Sequence, residues 1–158
     1  MAEVFESAIK KSMELPGAYI NREIFLRKAL SKYCGDATVQ KAIETTPDRA
    51  GIEKKTISRI ADSIIKSQCA QASTLSFFAG LPGGPTMALT IPADTLQFHY
   101  QTIQLVQKLM YLYGWQDSQS QDGIDDELYL YIITLLGVAY GISGAQKIAG
   151  NLANRLAL

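Results

Sequence analysis

LPGGPTMALTIPADTLQFHYQTIQLVQKLMYLYGW, residues Leu81 to Trp115, is a glycine- and proline-rich bend followed by a long apolar run. Thr90 is placed to cap a helix, and Pro92 falls in its first turn, where a missing N–H costs little. Asp94 then lies near the positive end of the helix dipole, which favours a carboxylate. Gly114 is suited to the left-handed residue that ends a helix, so the pattern predicts a helix over Ile91–Tyr113. Leu96, Tyr100, Ile103 and Met110 recur at helical spacing, and Leu105, Val106, Leu109 and Leu112 fill the neighbouring faces. A helix apolar on most sides packs among other helices or in lipid.

One polar stripe interrupts it. Asp94, Gln97, Gln101, Gln104 and Lys108 follow alternating spacings of three and four and share a face about 20 Å long. Two readings follow. The stripe is solvated or ties the helix to its neighbours through amide contacts, or it lines a groove for a ligand or partner segment. The bend Gly80, Leu81, Pro82, Gly83, Gly84, Pro85 is the candidate functional loop. Its plainer reading is a tight turn that needs positive φ.

Composition narrows the class. The chain has 158 residues and no net charge, a length that suits one domain with a real core and a balance that gives no support to nucleic-acid binding. Of 30 charged side chains, 21 lie in residues 1–66, and residues 67–116 hold only Asp94 and Lys108. A charged amphipathic front therefore precedes an apolar middle. Cys34 and Cys69 are far apart and form no C-x-x-C pair, so each reads as a small core residue in a reducing compartment. The first residues, MAEVFESAIKKSMEL, lack a long apolar segment and do not read as a signal peptide, which places the expected setting in the cytoplasm.

The chain reads as one all-α bundle, residues 1–158, of about six helices around a long buried central helix. Amphipathic helices occupy 1–46, with Ala2–Leu15 first, halted by Pro16-Gly17. Asn21 caps a second helix to about Cys34, with Gly35 as its left-handed terminator, and Asp36 caps a third, stopped by Pro47. A helical hairpin follows over 51–115. Its first arm, Gly51–Phe78, carries Ile57, Ile60, Ala61, Ile64, Gln68 and Leu75 in a near-heptad stripe. C-terminal helices occupy 124–158. Asp122, Asp125, Asp126 and Glu127 read as caps rather than as a metal site, and Gly137 and Gly141 form G-x-x-x-G. The last helix reaches Leu158 without a stop signal, which leaves open a missing C-terminal part.

Two stretches raise the question of a membrane. Residues 67–93 are 27 uncharged residues, and Leu128 to Ala145 adds 18. Both reach spanning length, but the first is broken by GLPGGP and the second by glycines. Core helices or a peripheral membrane-contacting face fit better. Tyr111, Tyr113 and Trp115 suit either an interfacial belt or a core edge.

No catalytic motif stands out. The glycine bend lacks the G-K-[S/T] of a phosphate loop, and no G-x-S-x-G is present. The single histidine, His99, is five residues from Asp94, which sets them about 140° apart around the helix. A hydrolase would need both to converge on a third group.

GLPGG at Gly80–Gly84, IPAD at Ile91–Asp94, and a helix carrying Gln97 and Gln101 that closes on QKLMYLYGW at Gln107–Trp115 resemble the EcsC protein family. The resemblance covers roughly residues 50–144. It implies a helical bacterial accessory protein near membrane processes, and it brings no catalytic residue, metal or cofactor. The expected function is therefore a non-enzymatic module that associates with a membrane surface or a membrane-associated protein. A carrier for a small amphipathic or apolar ligand between the central helix and Gly51–Phe78, edged by Asp94, Gln97, Gln101 and Lys108, is the alternative, and a hydrolase using His99 and Asp94 is third. The oligomeric state is left open.

Overall fold

The computed structural model describes residues 2–80, 87–116 and 126–156, with the side chains of 2–6, 72–80, 87–95, 153, 155 and 156 outside the description. These residues form seven helices and no strand: α1 Ala2–Met13, α2 Arg22–Leu30, α3 Asp36–Glu44, α4 Lys54–Gly80, α5 Met87–Leu112, α6 Asp126–Ala139 and α7 Ala145–Leu156. The all-α expectation holds. No helix among the described residues is long and apolar enough to cross a membrane.

Helix ends follow local chemistry. Asn21 caps α2, its side-chain oxygen accepting from the Ile24 N–H at 2.9 Å. Gly114 has φ +104°, the Trp115 N–H donates to the Met110 carbonyl at 2.9 Å, and the Gly114 N–H donates to Tyr111. That pair of bonds is a Schellman motif, which satisfies carbonyls the helix would otherwise leave open. The same pair recurs at Gly51 (Ile52 to Pro47, Gly51 to Asp48) and at Gly141 (Ile142 to Gly137, Gly141 to Val138).

Several sequence expectations are corrected. α2 stops at Leu30, and Gly35, at φ −70°, is the N-cap of α3 rather than a left-handed terminator; Asp36 is the first helical residue. α5 begins at Met87, a turn earlier than the Thr90 cap implies, so Pro92 and Asp94 lie inside it rather than in its first turn. α6 ends at Ala139, because Gly141 closes it, and so falls short of the 18-residue apolar run. Gly137 of the G-x-x-x-G pair faces the start of α7. A Cβ on it would lie 3.0 Å from the Ala145 Cβ, so it lets the start of α7 fold back onto α6. Cys69 is exposed on α4 rather than in the core, and Cys34 is half-buried.

α5 packs against α1, α2, α4 and α6. Leu26, Leu30, Val39, Ile57, Ile60, Tyr111 and Leu112 form one buried cluster among α2, α3, α4 and the end of α5. Ile9, Ile103, Leu128, Ile132 and Leu136 form a second, among α1, α5 and α6. Ile57 lies with Leu112 and Gln68 with Gln101, so α4 and α5 are antiparallel, as the expected hairpin requires. Phe98 and Tyr113 of α5 are exposed.

Residues 12–22 run beside α5 in the same direction, tied by a ladder of polar contacts. The Tyr100 hydroxyl donates to the Pro16 carbonyl at 3.2 Å, and the Gln104 amide donates to Gly17 at 2.7 Å. Gln107 is fully buried, and its amide oxygen accepts from the Ile20 N–H at 3.0 Å while its nitrogen donates to the Ala18 carbonyl at 2.6 Å. The Arg22 guanidinium then donates to the carbonyls of Ala42, Ile43, Thr45 and Trp115. Four carbonyls at the ends of α3 and α5 thus share one cation, a favourable charge for helix C-termini. Gly17 is required here, since its φ is +82° and a Cβ would lie 2.8 Å from the Tyr100 oxygen. Replacing Gln107 with leucine strands the Ile20 N–H and the Ala18 carbonyl. Urea denaturation of Gln107→Leu is expected to show a loss of about 1–3 kcal/mol, whereas a neutral result would mean that water takes over both groups.

Candidate functional site

The polar stripe of α5 does not meet in one place. Gln97 is exposed, Gln101 is buried, and Gln104 points at the loop before α2, where it bonds Gly17 and the Tyr100 oxygen. Lys108 turns the other way, its ammonium donating to Gln68 Oε1 of α4 at 3.1 Å. Gln68 is itself buried and donates to the Gln101 carbonyl at 3.3 Å. The Asp94 side chain and Leu81–Pro85 lie outside the described residues; Gly80 is the last residue of α4. Asp122 and Asp125 lie outside them too.

His99 is buried at the α5–α6 contact. Its ring meets Phe98 and Tyr140 edge to face, and its Nδ1 is 3.4 Å from the Tyr140 hydroxyl. Burial holds its pKa below the usual histidine value. Burial likewise raises that of Tyr140, opposed by a hydrogen bond with Thr102. A neutral ring bearing its proton on Nε2 can accept at Nδ1 from the phenol.

Two cavities flank the C-terminal half of α5. The larger, about 520 Å³, lies between the end of α5, the Thr46–Arg49 turn, α6 and α7. Trp115 and Tyr131 meet there with ring centroids 4.0 Å apart at 62°. Met110, Leu135 and Leu152 supply apolar walls, and Arg49 and Glu127 place opposite charges on its lining. Trp115 is fixed through its backbone, which the Schellman bond and Arg22 hold at both polar groups. Apolar walls and an aromatic pair, edged by polar groups of Thr46, Arg49, Gln116, Glu127 and Thr134, give a cavity of this size the character of a small-ligand site. Sequence reading found Trp115 only as a belt or core-edge aromatic, since nothing local marks Tyr131 as its partner.

The smaller cavity, about 290 Å³, is a groove between α2, α4 and α5. Lys28, Lys32 and Lys108 line it with Ser63, Ser67 and Gln68. Lys108 thus edges a pocket against α4, as the carrier reading expected, but Gln97, Gln101 and Gln104 line neither cavity. Burial lowers the Lys108 pKa, and the nearby charge of Lys28 lowers it further. No protein family, curated protein or solved structure compared with the chain matches it.

Because folding depresses the His99 pKa, the unfolded chain takes up its proton first as pH falls. The stability that the neutral ring confers is present above the unfolded value of about 6.5 and is lost as pH falls below it. Denaturant midpoints are expected to drop between pH 7.5 and 5.5 (a range of about two units around that value), and to drop less in His99→Phe. An equal drop in both proteins would assign the effect to other groups.

Proposed function

We propose that the chain is a non-enzymatic binding module whose cavity at Trp115 receives a small ligand with an apolar body. The observation that carries this reading is the 520 Å³ space around the edge-to-face pair of Trp115 and Tyr131. Its aromatic surface offers dispersion and apolar burial to a ligand. Arg49 and Glu127 would orient a ligand bearing polar groups at one end. This is the carrier or receptor function, sited at α5, α6 and α7 rather than between α4 and α5. The hydrolase reading gains no support from His99, whose ring is engaged by Tyr140.

Trp115 is the chain's single tryptophan, so its emission reports on the cavity directly. Titration with the neutral probe N-phenyl-1-naphthylamine is expected to quench that emission saturably. Ala149→Phe, which fills the cavity from α7, is expected to weaken binding about tenfold or more while keeping the thermal midpoint. Emission unmoved by the probe, or quenching indifferent to Ala149→Phe, would remove the cavity as the site.

A second reading, peripheral association with the inner face of a bacterial membrane in the manner implied by the EcsC resemblance, is favoured by one feature. Phe98 and Tyr140 are exposed by 51% and 42%, and their rings touch at a centroid distance of 6.3 Å. Paired exposed aromatics suit the interface between headgroups and acyl chains. Flotation with mixed phosphatidylcholine–phosphatidylglycerol vesicles is expected to carry the protein upward, and Phe98→Ser to reduce this severalfold. Protein that stays at the bottom in both cases counts against membrane contact through this surface.

A further inference from the structure

We propose that the groove between α2, α4 and α5 is a binding site for a phosphate group, with Lys28, Lys32 and Lys108 as its ligands. The inference is independent of the cavity at Trp115. Lysines from the end of α2 and the turn after it, Lys28 and Lys32, meet Lys108 of α5 on one space of about 290 Å³. Among the described residues that line it there is no carboxylate. A surface lysine usually sits near water or an acid, but Lys108 is half-buried and anchored to a neutral amide, Gln68 Oε1, at 3.1 Å. Gln68 is held in turn by the Gln101 carbonyl, so the anchor is rigid and brings no negative charge.

The charge balance favours an added anion. Lys28 lies in the last turn of α2, whose dipole offers it no more than about half a negative charge. Repulsion from Lys28 lowers the Lys108 pKa beyond what burial does. A dianionic oxyanion answers that repulsion, since lysine acts as a point charge towards phosphate. The hydroxyls of Ser63 and Ser67 on the lining can donate to the remaining phosphate oxygens. A carboxylate brings one charge and two oxygens to the same set of donors. The groove holds a headgroup, so the rest of the ligand lies outside. That leaves two sources of the same chemistry, a soluble phosphate compound or a phospholipid headgroup.

The test uses the full chain and two probes. Calorimetric titration with pyrophosphate at fixed ionic strength is expected to give saturable one-to-one binding. Lys28→Gln/Lys32→Gln is expected to weaken it at least about tenfold, and Lys108→Met to do the same. Lys28 and Lys32 are exposed, so their variant keeps the wild-type thermal midpoint and carries the test if Lys108→Met fails to fold. Co-sedimentation with phosphatidylglycerol vesicles, against phosphatidylcholine vesicles, separates the sources. Lysine-dependent binding to both pyrophosphate and anionic vesicles supports a lipid headgroup. Lysine-dependent binding to pyrophosphate alone supports a soluble ligand. Absence of pyrophosphate binding, or binding that the double variant leaves unchanged, overturns the proposal. Neither outcome bears on the quenching of Trp115, which reads the other cavity.

Discussion

The buried amide of Gln107 sets the register on which the N-terminal half is built. It answers one N–H and one C=O of the connection between α1 and α2. A connecting segment carries such groups unpaired unless something supplies partners, and an unpaired pair inside the protein costs more than the net gain of an ordinary hydrogen bond. With Gln107 in place, residues 18–20 are tied to α5, and Asn21 follows as the cap from which α2 starts at Arg22. Arg22 is then within reach of α3 and of Trp115. Changing this register by one residue would move Arg22 away from the carbonyls of Ala42, Ile43 and Thr45. The order is therefore polar first: amide contacts fix the direction of the segment, and apolar burial of Leu26, Leu30 and Tyr111 supplies the stability.

What the sequence made legible was local. Asn21, Pro47 and Gly114 each carry their signal in their own backbone chemistry, and the structure uses Asn21 as a cap and Gly114 as a left-handed stop. The apolar positions Ile57, Ile60, Ala61, Ile103 and Leu112 are buried where helical spacing places them. The misreadings share one cause. Gly35, Asp36 and Pro92 were assigned by the commonest use of their residue type, and each has a second use. Glycine serves as an N-cap in extended backbone when no side-chain bond is needed, and a proline is tolerated past the first turn at the loss of one backbone bond. G-x-x-x-G was ambiguous in the same way. Gly137 is small for Ala145, whereas Gly141 is glycine for its φ of +68°.

The candidate site was harder to see because a stripe on a helical wheel is wide. Gln104 and Lys108 are four residues apart, yet about 40° of rotation and 6 Å of rise are enough to send one towards Gly17 and the other towards Gln68. Which neighbour each meets depends on where α2 and α4 pack, and the α5 sequence does not contain that. In the sequence, Lys28 and Lys32 are two charges at helical spacing near the end of α2. Their convergence with Lys108 is a tertiary fact. Gln107 stands in the sequence between Gln104 and Lys108 of the polar stripe, and nothing local marks it as the most buried of the three.

The last two turns of α5 separate the two cavities. Lys108 faces the groove and Met110 the cavity at Trp115, and two residues on a helix are about 200° apart, so they point nearly oppositely. Coupling between such sites requires an element with two arrangements that ligands at each site favour differently. This segment is poorly suited to that role. Its end is closed by the Schellman pair at Gly114, Arg22 holds the Trp115 carbonyl, and Gln107 fixes its inner face to residues 18–20. A helix tied at three points in its last turns cannot rotate without breaking buried hydrogen bonds at each of them. The physical consequence is a rigid partition between a cavity holding an aromatic pair and a groove lined by lysines.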